Sequence, residues 1–343
     1  MFARVRPVQD FVKSCLNIVD NNTLDLYKPD RPSERQSFRF DRIYGPIHDQ
    51  DVLWDDVKHS ASHVLEGARR KVCFVAFGDV DSGKTHTMRV GDVNDGLIQR
   101  FASELFEERQ VRSDTHRYRF SVSAVQIKGD QICDVLAPQS YLKSVTVHNR
   151  TRIQMDDLDE LDKILNMVSS AGASPSQPFH IKGVSSSSNQ HRSSSSRTCC
   201  TIISIHIEYM SLALLDCEEA QVTFVELPSE KLTRGHTQGN LASGDAKIVR
   251  RNLTSLCEVL SMLSQHSKSN HPHHNKTMMI PYRNSKLTYM LSDVLLPDTL
   301  IFNYICMKSE CYAENLKCLN WAYCAKNRQN IQSVQAVYMD KFK

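Results

Sequence analysis

Between Val72 and Met88 the chain reads VCFVAFGDVDSGKTHTM, and the residues of its second half are of the types that hold phosphate. Gly78-Asp79-Val80-Asp81-Ser82-Gly83-Lys84-Thr85 is a complete G-x-x-x-x-G-K-[ST] pattern. It follows an apolar run, Val72–Phe77, which predicts a buried strand. In such a loop, backbone N–H groups wrap the β-phosphate of a nucleotide and Lys84 neutralises the β- and γ-phosphates. The Thr85 hydroxyl ligates Mg²⁺, and the next helix points its N-terminus at the anion. Two residues work against this. Asp79 and Asp81 bring carboxylates to a place meant for phosphate, where like charges repel. The expectation is a nucleotide site with an adverse local charge.

The rest of the chain must position that loop. At 343 residues it can bury a full core as one large α/β domain or two smaller ones. With 41% hydrophobic and 24% charged residues, its composition is that of an ordinary soluble protein. A net charge of +3 is too slight to announce nucleic acid as a partner, so any acidic partner must meet a local patch. The eleven Cys lack framework spacing, and Cys73, Cys257 and Cys306 lie in apolar segments, as buried thiols do in a reducing compartment. The segment MFARVRPVQD has no signal-like apolar core, and no run approaches the ~18 apolar residues of a membrane span. A soluble, intracellular protein is expected.

Pattern places the elements. Ser37–Tyr44 reads as one strand with Phe38 and Phe40 on one face, and Gln50–Gly67 as one helix. A helix runs from Gly96 through Phe106, and strands are expected at Arg117–Gln126 and in the short apolar stretch Gln131–Leu136. Leu158–Val168 has helical spacing, and Ser185–Ser196, with eight Ser in twelve residues, is a loop. Thr201–Tyr209 alternates strictly, and Val222–Leu227 is a second apolar run that includes an acid, Glu226. Helices at Ala246–Leu263, Ser285–Leu295 and Glu314–Lys326 surround a strand at Thr299–Cys306. Strands alternating with helices, with no linker, predict one α/β domain around a mixed, largely parallel sheet.

Taken in order, eight segments resemble the kinesin motor domain. Arg4-Val5-Arg6-Pro7 matches R-x-R-P, and FRFDRIY (Phe38–Tyr44) is similar to F-x-F-D-x-V-F. FGDVDSGKTHTM resembles Y-G-Q-T-G-S-G-K-T-Y-T-M, and SAVQIKGDQICDVL (Ser123–Leu136) resembles S-x-x-E-I-Y-N-E-x-x-x-D-L-L. Ser195-Ser196-Arg197 falls at S-S-R-S-H, the first nucleotide-sensing switch, and FVELPSE (Phe224–Glu230) at L-V-D-L-A-G-S-E, the second. IPYRNSKLT (Ile280–Thr288) matches the microtubule-facing V-P-Y-R-N-S-K-L-T, and ENLKCLNWA (Glu314–Ala322) is similar to the closing E-T-L-x-S-L-x-F-A helix. YRNSKLTYML leans towards the kinesin-14 branch.

The resemblance implies a single phosphate-loop NTPase domain over 1–327, its mixed, mostly parallel sheet flanked by helices on both faces, and a short extension at 328–343. It implies ATP and Mg²⁺ as cofactors, microtubules as partner, microtubule-stimulated ATP hydrolysis driving movement, and a place on the microtubule or spindle cytoskeleton of the cytoplasm. Arg4 and Pro7 would frame the adenine beside Gly78–Thr85 and His86. Thr85 and Ser196 would hold Mg²⁺, with Ser195 able to share that role. Glu226 would hold the metal through water. Arg197 and Glu230 alone read as two surface charges, but inside the switch motifs they imply the salt bridge that closes the site. Lys276, Tyr282, Arg283 and Lys286 would face tubulin.

Departures from the family pattern set an alternative beside this. The family's D-x-x-G becomes Glu226-Leu227-Pro228-Ser229-Glu230, one residue short and without the Gly whose N–H meets the γ-phosphate. Pro228 has no N–H. The His of the first switch is Cys199, and that loop is longer by two Ser. A pseudomotor that binds microtubules with little turnover is therefore the second reading. His266, His271, His273 and His274 lack partnering Cys or acids at ligand spacing and read as a solvated loop rather than a metal site. Cys199 and Cys200 read as strand-entry thiols, and Cys199 beside His191 lacks a third, orienting group for a nucleophile. The sixteen residues after Asn327 are too few for a stalk and those before Arg4 too few for a coiled coil, so a motor fragment or a stalkless protein is expected.

Overall fold

The computed structural model describes residues 1–7, 13–66, 71–89, 95–137, 145–171, 199–213, 216–229, 241–266 and 279–326. In chain order these form β1 (Phe2–Arg6), β2 (Leu16–Ile18), β3 (Thr23–Lys28), β4 (Arg31–Arg39) and β5 (Arg42–Tyr44). Helices α1 (Gln50–Asp55) and α2 (His59–Glu66) precede β6 (Lys71–Gly78), α3 (Lys84–Met88) and α4 (Leu97–Val111). Then come β7 (His116–Lys128), β8 (Gln131–Asp134), β9 (Ile153–Met155), α5 (Leu158–Ala171), β10 (Cys200–Ser211) and β11 (Cys217–Glu226). The last elements are α6 (Leu241–His266), α7 (Lys286–Met290), β12 (Leu300–Lys308) and α8 (Tyr312–Lys326).

One sheet organises the molecule, in the order β5-β1-β12-β6-β11-β10-β7-β8, with β9 paired to β7. From β5 to β11 every pairing is parallel; from β11 to β8, and at β9, every pairing is antiparallel. The four central parallel strands β1, β12, β6 and β11 therefore end at one edge, on Arg6, Lys308, Gly78 and Glu226. In an open α/β sheet that edge is where ligands bind.

Strand β6 shows why the sheet needs helices on both faces. Val72, Phe74 and Ala76 enter one core with α1, α2, α4 and α5, while Cys73, Val75 and Phe77 enter the other with α6, α7 and α8. The expected fold class holds. Cys73, Cys257 and Cys306 are buried thiols, as their apolar contexts suggested.

Three boundaries differ from the expectations. The strand expected over Ser37–Tyr44 is two strands in two sheets, because the chain turns at Phe40–Asp41. The Met1 amino group donates to Asp41 at 2.6 Å, and Asn22 Nδ2 donates to the carbonyls of Phe40 and Asp41. Strand β4 then joins β3 in a small antiparallel sheet with β2, while β5 joins β1. The expected grouping of Phe38 with Phe40 survives the break, since both pack on one core. The helix expected over Gln50–Gly67 is divided into α1 and α2. The helix expected over Ser285–Leu295 is cut to α7, opened by a reciprocal Ser285–Thr288 capping box and closed by turns in which Leu295 O accepts the Tyr282 hydroxyl. Strands β1, β2 and β3 gave no clear signal; five residues or so of partly polar chain alternate too briefly to be seen.

Phe74 stacks between Phe224 and Phe302 at centroid distances of 5.0 and 4.9 Å, with Phe101 edge-on at 5.9 Å. Phe74→Ala should cost about 3–5 kcal/mol, read as a shift in the midpoint of urea unfolding, and Phe74→Leu appreciably less. Equal costs for both would mean that ring packing does not hold this layer together.

Candidate functional site

The loop leaves β6 at Gly78 under tight constraint. A Cβ on Gly78 would lie 2.1 Å from the carbonyl oxygen of Cys306 in β12 and 2.5 Å from Ser82 Oγ, so no other residue fits. Two more positions need the left-handed region: Gly83 at φ 97° and Asp81 at φ 58°. Asp is among the few non-Gly residues that enter it readily. This backbone explains how the loop tolerates Asp81. Its carbonyl accepts from Arg6 Nη1 at 2.6 Å, and its side chain lies in the open.

Asp79 does not meet the phosphate position, and the expected repulsion there is corrected. Its side chain is 6% exposed and turned beneath the loop, where Oδ1 accepts from Ser229 Oγ at 2.8 Å and Oδ2 pairs with Lys308 Nζ at 3.2 Å. Burial raises the carboxyl, but Ser229, the Val80 backbone N–H and Lys308 together outweigh it and hold its pKa below the ordinary aspartate value. Asp79 thus fastens the loop to the segment after β11 and to the end of β12.

Lys84 Nζ donates to the carbonyls of Gly78 and Asp79 at 2.9 and 2.7 Å, across the mouth of the loop. The Thr85 hydroxyl donates to Glu226 Oε1, and Arg89 Nη2 donates to Glu226 Oε2 at 2.9 Å. Burial raises the Glu226 carboxyl, yet Arg89, Thr85 and Lys84 prevail and its pKa is lowered. Glu226 is ionised at neutral pH.

Above the loop, Arg4 Nη1 donates to Gln50 Oε1 at 2.7 Å and Thr87 Oγ1 at 2.9 Å, and Gln50 Nε2 donates to the His86 carbonyl. Arg4 therefore braces α1 against α3. The His86 imidazole is exposed, and its pKa is lowered by partial desolvation and by Arg4 and Arg6.

These groups line one cleft of about 1150 Å³, near the upper end of small-molecule sites. It collects Arg4, Pro7, Val80, Asp81, Ser82, Gly83, Lys84, Thr85, His86 and Glu226. Gly78 and Asp79 lie beneath it. Cys199 also lines it, and Cys200 is buried at the start of β10. Ser195, Ser196, Arg197, Glu230, Lys276 and the His271–His274 residues lie outside the described residues. Sequence reading missed Gln50, Arg89 and Lys308, none of which belongs to a local pattern, and gave Ser229, inside FVELPSE, no role of its own. Among the described residues no three His, Cys, Asp or Glu side chains gather as a metal cluster. No helix among them is long and apolar enough to cross a membrane.

On a different face, Arg283 and Lys286 are exposed, whereas Tyr282 is half-buried with its hydroxyl on Leu295 O. Tyr282 shapes this segment, and the two cations present charge. Arg251 Nε binds the Asn284 carbonyl at 2.9 Å and adds a third exposed cation.

The family model for the kinesin motor domain matches residues 4–328. Kinesin-like protein KIN-14H of Arabidopsis thaliana is 29% identical over 94% of this chain and 30% of its own length. KIN-14R of the same plant is 31% identical over 84% and 26%. The chain spans about 30% or less of the length of these curated relatives. Among solved structures, the motor domain of the Kar3-like kinesin from Ashbya gossypii superposes with a TM-score of 0.73 at 21% identity, covering 95% of this chain and 98% of that one. Kar3 of Saccharomyces cerevisiae gives 0.73 at 20%, with the same coverage. These two show the fold.

The Asp79 fastening has a pH signature. Its folded pKa lies below the unfolded value, so its stabilisation is complete above about pH 4 and fades as pH falls through the folded value. Asp79→Asn should lose about 2 kcal/mol at pH 7 by urea unfolding, and the difference should shrink towards pH 3. A loss that does not change with pH would show that the carboxylate charge plays no part.

Proposed function

This chain belongs to the kinesin motor domain family, and from that premise we propose that it binds Mg-ATP in the cleft and couples hydrolysis to microtubule binding and movement. One observation carries the proposal: Lys84, Thr85 and Glu226 converge where β6 and β11 end, though Thr85 and Glu226 are 141 positions apart. A hydroxyl already bonded to an ionised carboxylate is the hard-oxygen donor pair that suits Mg²⁺. Gly78, left-handed Asp81 and Gly83 suit the phosphates, since they let backbone approach the anion without side chains between.

Bound there, Mg²⁺ would neutralise charge on the β- and γ-phosphates. The chain's own residues divide the remaining work. Lys84 exchanges two carbonyls for phosphate oxygens. Arg4 and Pro7 frame the adenine, with His86 at its edge. Ser196 would supply a hydroxyl to the γ-phosphate or the metal, and Arg197 and Glu230 the closing salt bridge; these roles rest on the switch motifs. Arg283 and Lys286, with Lys276 and Arg251, would meet acidic tubulin, and the protein would then work on the microtubule cytoskeleton.

Pro228 bears on rate. It has no N–H, and the neighbouring Leu227 N–H is spent on the Ala76 carbonyl at 3.0 Å. The donor that the family's Gly offers to the γ-phosphate is thus not replaced by either residue. Nothing in the relatives favours binding without turnover, so slow hydrolysis is the expected consequence.

Phosphate release, measured with and without microtubules, tests this. Wild type should show a low but microtubule-stimulated rate, and Lys84→Ala should lose nucleotide binding. Pro228→Gly should raise the stimulated rate, by up to about a hundredfold if a full preorganised donor is regained. Absence of nucleotide binding in wild type would overturn the proposal. Co-sedimentation with microtubules should weaken several-fold in Arg283→Ala/Lys286→Ala and recover at lower salt; unaltered sedimentation would place the interface elsewhere.

A further inference from the structure

Arg89 follows directly on α3, and no feature of the phosphate-loop pattern requires a charge there. It is nevertheless drawn inward, its side chain 14% exposed, facing a Glu226 side chain 16% exposed. Nη2 lies 2.9 Å from Glu226 Oε2, and Nη1 donates to Ser169 Oγ at 3.3 Å. The Arg89 backbone is held too: its N–H donates to the Thr85 carbonyl at 2.6 Å, and its φ of −139° ends the helix and turns the side chain across to β11. Arg89 and Glu226 both line the nucleotide cleft, together with Lys84 and Thr85.

Each oxygen of the Glu226 carboxylate therefore already accepts a hydrogen bond, one from the Thr85 hydroxyl and the other from a guanidinium. A divalent cation beside Thr85 would draw on that same carboxylate. A buried ion pair of this kind is costly to break by removing one partner, because the other charge is left uncompensated. Without Arg89, phosphate oxygens entering the cleft would face a lone carboxylate. With it, they face a carboxylate whose charge is already balanced and a guanidinium, a natural phosphate donor.

We propose that Arg89 is a built-in cation of this nucleotide site, sharing Glu226 with Mg²⁺ and making nucleotide binding only weakly dependent on the metal. This rests on the nucleotide reading of the cleft given above. Arg89 competes with Mg²⁺ for one carboxylate, so the chain trades metal affinity for a permanent counter-charge to phosphate. A merely structural ion pair would alter stability and leave the metal dependence of binding untouched.

The experiment uses the 343-residue chain and a methylanthraniloyl-labelled ATP, with Kd read by fluorescence in excess Mg²⁺ and again in EDTA. Chelation should weaken wild-type binding by no more than about tenfold, and Arg89→Leu by on the order of a hundredfold, because Glu226 is then unpaired. Arg89→Lys, which keeps a cation, should stay near wild type. Arg89→Leu combined with Glu226→Gln should regain the weak metal dependence, since the stranded charge is gone. Equal losses for wild type and Arg89→Leu would overturn the inference while leaving the nucleotide site intact. A wild-type loss of a hundredfold or more would do so even if the variants failed to fold. No binding by wild type in either buffer would overturn the nucleotide reading itself.

Discussion

Two backbones meet closely in the site: Gly78, at the end of β6, runs so near the Cys306 carbonyl of β12 that a Cβ would sit 2.1 Å from its oxygen. The rest of the site depends on this contact. It sets the height at which the loop leaves the sheet, and it brings Lys308, two residues beyond Cys306, within reach of Asp79. On the other flank, β11 runs parallel to β6 in register from Gln221 to Glu226, so Glu226 arrives beside the loop. A parallel sheet buried on both faces does not slip, because a one-residue shift would exchange the residues of its two cores. The placing of the groups proposed to meet phosphate and metal is thus a result of core packing.

Charge in the site is arranged in two tiers. Beneath the loop, Asp79 meets Lys308 and Ser229, which joins β6, β12 and the segment after β11. Within the cleft, Glu226 is shared between Thr85 and Arg89, with Lys84 near enough to add to the lowering of its pKa. The lower tier concerns shape, since Asp79 and Ser229 are buried and Lys308 turns in to meet Asp79. The upper tier lines the cleft, where the nucleotide is proposed to bind. Asp79 and Asp81 look equivalent on paper as carboxylates in a phosphate loop. One serves the lower tier, and the other adopts the left-handed backbone that the loop needs.

The segment after β11 joins the two tiers. Leu227 is bonded to the Ala76 carbonyl, Pro228 cannot donate, and Ser229 reaches Asp79. Nucleotide-dependent movement here would have to break the Ser229–Asp79 contact. The same short stretch in which Pro228 offers no N–H is therefore also fastened to the loop from below.

Much of this was legible from residue order alone. The loop follows from its motif and the burial of β6 from an unbroken apolar run, while the alternation of β10 and the helical spacing of α5 follow from local periods of two and 3.6. The motif order from Arg4 to Ala322 indicated the family, and so the proposal that Thr85 and Glu226 act together. The break at Phe40–Asp41 was not legible, because it depends on Asn22 and the chain's amino group finding Asp41. Nor was the direction of Asp79 or the role of Arg89, whose partners lie 150 and 137 positions away. Sequence by itself determined which chemistry the loop could perform, because that depends on residue type and spacing within a few turns of backbone. Tertiary structure alone decided which charges face the ligand and which face each other, because a side chain's partner across parallel strands is set by register and packing.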